Sequence, residues 1–192
     1  MGTVNAMIDS TWRPPVLETP RLRLRPFADS DAEALLPIAS NPNVTRYTLW
    51  DAHRTLDDCH TFLRDYAAAN YLAGVPDPYA IVLKENGSLI GAVGAHWASE
   101  KNKCLEFGFW LAEPYWGRGL TPEAARALLQ HLFAAYDVER VQAHCVTENV
   151  ASGRVLEKLG LTYEGTHRSA LFHRGRFWDI RMYATLRNEW TA

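Results

Sequence analysis

Leu105, Phe107, Phe109 and Leu111 alternate with Cys104, Glu106, Gly108 and Trp110, the period-2 pattern of a strand whose two faces meet different surroundings. Arg21-Leu22-Arg23-Leu24-Arg25 alternates in the same way and predicts an earlier strand. Asp29 is placed to cap a helix running to about Ser40, which Asn41-Pro42-Asn43 breaks, and residues 44–54 carry no period. Thr55 with Asp58 three residues later forms a capping box, with Asp in place of Glu, for a helix ending near Gly74. Tyr79–Lys84 and Leu89–Trp97 flank Glu85-Asn86-Gly87-Ser88, and Asn-Gly between two apolar runs predicts a hairpin. Helices over 122–136 and 149–159 and strands over 140–146, 162–168 and 177–186 complete the pattern. A helix between strands 104–111 and 140–146 makes one β-α-β crossover in an otherwise antiparallel, mixed α+β order.

The junction after the 104–111 strand is the most specific local signal. Gly117-Arg118-Gly119 precedes Thr121-Pro122-Glu123, where Thr121 fits an N-cap and Pro122 the first helical position. Two glycines before a helix either make a plain strand-to-helix turn or gather backbone N–H groups around an anion such as a pyrophosphate. A P-loop is excluded, since no G-x-x-x-x-G-K-[ST] occurs. The third glycine of a dinucleotide fingerprint is also missing.

Composition narrows the class. A chain of 192 residues with 47% hydrophobic and 22% charged residues is that of one globular domain, here 18–192 after a loose polar arm at 1–17. A net charge of -2 gives no electrostatic case for nucleic acid or an anionic membrane, and no apolar run reaches a membrane span. Cys59, Cys104 and Cys145 are odd in number and far apart, as in a reduced cytoplasmic protein. The seven histidines show no metal-ligand spacing, so no metal is expected.

Gly117-Arg118-Gly119-Leu120, followed by Glu148-Asn149-Val150-Ala151-Ser152-Gly153 and the turn Lys158-Leu159-Gly160-Leu161, resembles the GNAT acetyltransferase superfamily. Glu18-Thr19-Pro20-Arg21-Leu22-Arg23-Leu24-Arg25, the 47–51 segment, the 175–179 hairpin and Trp190 are similar to its RimJ/RimL-type branch. The resemblance implies an α+β (mixed α/β) fold, a mostly antiparallel twisted sheet of about seven strands flanked by about four helices. It implies acetyl-CoA as co-substrate, with Gly117, Arg118, Gly119, Leu120 and Thr121 offering N–H groups to the pyrophosphate and Phe109, Trp110, Leu111 and Trp116 beside it. Pro114 stands where the family's loop often has Gln or Arg. Asn149 would hold the pantetheine arm, cap its own helix, or both. Leu156 replaces the tyrosine that protonates the leaving thiolate in many members, and Ser152, one helical turn from Asn149, is the next candidate acid.

The alternation puts Glu106 on the face opened by Gly108, within reach of an acceptor amine directly or through water; otherwise it is a solvated strand residue. A backbone N–H near Trp110 or Leu111 would receive the thioester oxygen. Neutralising an α-amine at pH 7 costs roughly 1 kcal/mol, a lysine nearly 4.6 kcal/mol, so a water-linked carboxylate suits an N-terminal acceptor better. Trp50, Tyr79 and Trp97 are candidates to wall the acceptor pocket, or else serve as core, and Asp51 or Asp77 could attract a cation. The expected activity is N-acetylation of a peptide N-terminus. Acetylation of a small amine, or acyl-CoA binding without turnover, are the alternatives, by a monomer or homodimer.

Overall fold

The computed structural model describes residues 13–191. Eight strands form one sheet in the order β1-β2-β3-β4-β5-β6-β8-β7. They are β1 (Leu17–Glu18), β2 (Leu22–Pro26), β3 (Tyr79–Leu83), β4 (Leu89–Ser99), β5 (Cys104–Leu111), β6 (Arg140–Val146), β7 (Thr162–His173) and β8 (Arg176–Leu186). Every neighbouring pair is antiparallel except β5 and β6, which the crossover helix α5 (Leu120–Ala135) makes parallel. The remaining helices are α1 (Ala32–Ala39), α2 (Pro42–Thr45), α3 (Leu56–Thr61), α4 (Ala69–Leu72) and α6 (Val150–Lys158).

Each face of the sheet has its own core. On one side α5 buries Leu120, Ala124, Leu128 and Leu132 at every fourth residue, with Ala125 and Leu129 beside them, on Leu24, Ile81, Val93, Leu105, Phe107 and Val141. On the other side Leu35, Ile38 and Ala39 of α1, with Cys59, Leu63 and Tyr71, cover Ala80, Val82, Leu89 and Ala92. That second layer lies over β3 and the start of β4. Further along, the same face carries exposed or half-buried residues of β4, β5 and β6, including His96, Glu106, Gly108, Gln142 and His144.

Several local expectations need correction. The sheet has eight strands because the short β1 adds an edge, with Leu17 opposite Leu24, so residue 17 is part of the sheet rather than the arm. Residues 1–12 of the expected arm lie outside the described residues. The carboxylate that accepts the Ala28 N–H at 2.8 Å is Asp31, while Asp29 is engaged by His60 and Arg64. The Thr55–Asp58 capping box is present, but the helix it opens widens into a π-helical stretch over Phe62–Ala68. Helix α5 starts two residues before Pro122 because Gly119, at φ 73°, is its N-cap; Thr121 therefore lies inside the helix.

The feature that creates a site is where β5 and β6 part. Their pairing covers Cys104, Leu105 and Glu106 against Arg140, Val141 and Gln142 and no further. Beyond it β5 stays with β4 and β6 stays with β8, so a gap opens in the sheet. Because the two strands are parallel, the helices that follow them, α5 and α6, both begin at the same end of that gap.

Candidate active site

The mouth of the gap is built from two helix N-termini. Gly117 and Gly119 both hold φ at 73°, in the left-handed region that glycine adopts without a Cβ clash. The N–H groups of Leu120 and Thr121 have no intrahelical partner, and the positive end of α5 backs them. The turn between β1 and β2 closes the glycine turn from behind. Arg21 Nη1 donates to the Arg118 carbonyl at 3.0 Å, and Glu123 in the first turn of α5 accepts from Arg21 Nε at 2.6 Å and from Thr19 Oγ1 at 2.5 Å. Burial raises the Glu123 pKa, but these hydrogen bonds outweigh it and hold the group below the usual glutamate range.

Along the gap, β5 presents alternate backbone groups. Ala112 N–H donates to Ile90 on β4, so strand alternation turns the N–H groups of Phe109 and Leu111 toward the gap. Trp110, named at the sequence level together with Leu111 as the donor, sends its N–H the other way. Trp116 Nε1 donates to the Leu111 carbonyl at 2.6 Å, which ties its ring nitrogen to the end of β5 while the ring stays 47% exposed. On the opposite bank Asn149 caps α6, its Oδ1 accepting the Ser152 N–H at 3.2 Å. Ser152 thus sits in the first turn of α6. Leu156 is fully buried in the core, so no acid occupies that helix position.

The floor of the site lies where the strands separate. A Cβ placed on Gly108 would meet no atom within 4 Å, so the space above it is open. One residue pair back along the face, Glu106 Oε2 accepts from Gln142 Nε2 at 2.8 Å and Oε1 from His144 Nδ1 at 2.9 Å. Burial pushes the Glu106 pKa up, but the bonds from His144 and Gln142 reverse this and leave it lowered; His144 is correspondingly raised by Glu106 against its own burial. Neither Gln142 nor His144 was singled out from the sequence. The signal was present in the alternation of β6, but it becomes legible only with the register Glu106 opposite Gln142.

The acceptor side is partly as expected. Trp50 stands edge-on to Trp110 with ring centroids 6.0 Å apart, and Phe27 stacks on Trp110 at 6.5 Å, forming an aromatic wall beside the open floor. Tyr79 and Trp97 are corrections. Tyr79 is fully buried among the residues beneath α5, and Trp97 packs against the same core edge-on to Tyr136 at the end of α5. Their strand positions point them to the sheet face opposite Glu106. Asp77 does reach the Glu106 face: a Cβ on Gly94, which pairs with Gly108, would collide with its carboxylate, and Tyr66 donates to Asp77 at 2.5 Å. Burial raises the Asp77 pKa. Asp51 is highly exposed beside Arg174. Among the described residues no cluster of His, Cys, Asp and Glu has metal-binding geometry, and no helix is long and apolar enough to cross a membrane.

A parted parallel strand pair with a glycine turn at its mouth coincides with the match of residues 21–162 to the acetyltransferase (GNAT) domain family. The chain belongs to the GNAT acetyltransferase family. YoaA of Bacillus subtilis, an N-acetyltransferase, is 30% identical to this acetyltransferase over 173 residues, covering 90% of the chain and 97% of YoaA. The ribosomal-protein-serine acetyltransferase of Escherichia coli is 29% identical over 106 residues, 55% of this chain and 59% of the relative. A GNAT-family acetyltransferase structure from Bacillus anthracis superposes with TM-score 0.82 at 27% identity, over 91% of this chain and all (100%) of that one. RimL, a ribosomal L7/L12 α-N-protein acetyltransferase solved with coenzyme A, gives TM-score 0.81 at 22% identity over 90% and 98% of the two chains. Both of the ribosomal-protein acetyltransferases among these relatives are of the kind that the RimJ/RimL-type resemblance implies.

Proposed function

We propose that this acetyltransferase moves an acetyl group from acetyl-CoA directly to a primary amine, with the α-amine at a peptide N-terminus as its acceptor. The single observation that carries the reading is the hydrogen-bonded Glu106–His144–Gln142 group beside the open floor at Gly108, where β5 and β6 part. It sets proton-accepting groups at the place where an amine would meet a thioester lying in the gap.

The residues fit an acyl-CoA. The left-handed glycines and the first N–H groups of α5 suit a pyrophosphate. The gap-facing amides of Phe109 and Leu111 suit an extended pantetheine arm and the thioester oxygen. The Asn149 side chain and Ser152 border the other bank, Ser152 positioned as the acid for the departing thiolate. The co-substrate supplies the activated acetyl group; the protein supplies alignment, a donor for the developing oxyanion and a path for two protons. An α-amine needs only about 1 kcal/mol to lose its proton at pH 7, within reach of this group, whereas a lysine needs about 4.6 kcal/mol. RimL, whose name specifies an α-N-protein acceptor, supports the same choice. Three free, buried cysteines suit a cytoplasmic setting.

Thiol release from acetyl-CoA, measured over peptides with free or blocked N-termini, polyamines, amino acids and lysine-containing peptides, tests this. Faster turnover with a free N-terminus is the expected result. Preference for a small amine would move the acceptor class, and no turnover with any amine would leave acyl-CoA binding alone.

A further inference from the structure

We propose that His144 is the general base of the transfer, taking the acceptor's proton at Nε2, and that Glu106 is its positioning carboxylate. This rests on the amine-acetylating reading above and assigns the proton to a particular atom.

Both oxygens of Glu106 are already engaged from β6, Oε2 by Gln142 at 2.8 Å and Oε1 by His144 Nδ1 at 2.9 Å. Those bonds hold Glu106 below its ordinary pKa although burial works the other way, so it is ionised near neutral pH. An ionised carboxylate can only accept hydrogen bonds, so Nδ1 of His144 must be the protonated nitrogen and Nε2 carries the lone pair. Glu106, held below its ordinary range, is a far weaker base than an α-amine of about 7.8. The imidazole, raised by Glu106 above 6.5, is the better matched group. Its side chain keeps 27% exposure, which leaves a route for the proton to water, and it stands on the face that Gly108 opens.

The surroundings favour this assignment. On the same face lie His96 of β4, opposite Glu106, and Arg140 of β6, which binds Gln142 at 3.2 Å and Glu164 of β7 at 2.6 Å. Met182 of β8, directly opposite His144, is uncharged, and His167 of β7 is paired with Ile180, further along. Asp77 sits over Gly94, toward the far side of Gly108. The charge that dominates at the imidazole is Glu106.

The step balances. The acceptor ammonium gives one proton to Nε2 and becomes a neutral amine. Its lone pair forms the N–C bond to the thioester carbonyl carbon as the C–S bond breaks. The second nitrogen proton leaves to water as the amide forms, while Ser152 gives its hydroxyl proton to the thiolate and is reprotonated from water, so that one proton is released overall. The imidazolium, held by Glu106, returns its proton to water.

The test is kcat/KM against pH for wild type, His144→Asn and Glu106→Gln, with two peptides whose α-amines differ in pKa so that a limb common to both belongs to the enzyme. Asn keeps a donor toward Glu106 but cannot titrate. His144→Asn should lose about 10²-fold or more near pH 7 together with the common acid limb, while titrating acetyl-CoA with unchanged affinity. Glu106→Gln should keep the limb but displace it to lower pH, because the charge that raises His144 is gone. NMR titration of wild-type imidazole resonances gives a second reading that needs no variant: the His144 pKa should coincide with the common limb. A His144→Asn profile like wild type, a limb lost in Glu106→Gln but kept in His144→Asn, or a limb away from the His144 titration would each overturn the assignment. None of these would touch amine acetylation itself, which fails only if wild type turns over no amine.

Discussion

Arg21 and Glu123, far apart in the chain, form one clasp: Nε lies 2.6 Å from Oε2, and the Arg21 N–H reaches Oε1 at 2.9 Å. It ties the start of β2 to the first turn of α5 and, through Arg21 Nη1 on the Arg118 carbonyl, fixes the glycine turn between them. The Glu18-Thr19-Pro20-Arg21 block therefore holds the glycine turn against the start of α5.

Breaking that clasp should act on binding rather than chemistry. Arg21→Ala is expected to weaken acetyl-CoA several-fold in calorimetric titration, with kcat at saturating acetyl-CoA close to wild type. The clasp also has a pH signature. Glu123 is depressed in the folded state, so its contribution is present above the ordinary glutamate pKa of 4.5 and is lost as pH falls through the lower folded value. The stability gap between wild type and Arg21→Ala should thus be full at pH 7 and close as pH falls below the ordinary glutamate range, as read by urea denaturation at each pH. A gap that widens toward acid would contradict the assignment.

Gly119→Val tests the turn itself. The left-handed φ of 73° strains any β-branched residue, and its side chain would stand where the backbone approaches the phosphates. Affinity for acetyl-CoA should fall at least about tenfold, or 1.4 kcal/mol, in a variant that remains folded.

The strands, the hairpin, the crossover and the glycine turn were legible because period-2 and period-3.6 patterns and turn glycines act locally. The whole of β5 (Cys104–Leu111) and β6 (Arg140–Val146) was readable in this way. What was not legible depends on contacts between distant segments. The π-helical widening at Phe62–Ala68 has no glycine or proline within it to announce it. Tyr79 and Trp97 looked like pocket aromatics, but only the strand register shows that they face α5. His144 carries no such local mark, because its partner Glu106 lies on another strand.

Ser152→Ala addresses the leaving group. Ser152 lies in the first turn of α6, its N–H held by the Asn149 cap, and no tyrosine is available at the buried Leu156. We expect kcat to fall with acetyl-CoA affinity nearly unchanged, the pattern of an interaction made mainly in the transition state. Loss of affinity at constant kcat would make Ser152 a positioning residue for the pantetheine arm.

Gly108→Val separates stability from function on the floor of the site. A Cβ on Gly108 meets nothing within 4 Å and its φ is not in the left-handed region, so valine brings a better strand former than glycine without backbone strain. Thermal unfolding should therefore match or exceed wild type. The added methyls would occupy the position where the acceptor amine must lie, between the Trp110 wall and the Glu106–His144 pair. Acetyl-CoA binding at the mouth should persist while kcat/KM for the acceptor falls by about 10²-fold or more, since small misplacements at the reacting centre have effects of that size. A stable Gly108→Val variant with wild-type turnover would show that the amine approaches from elsewhere, and would remove this face from the mechanism.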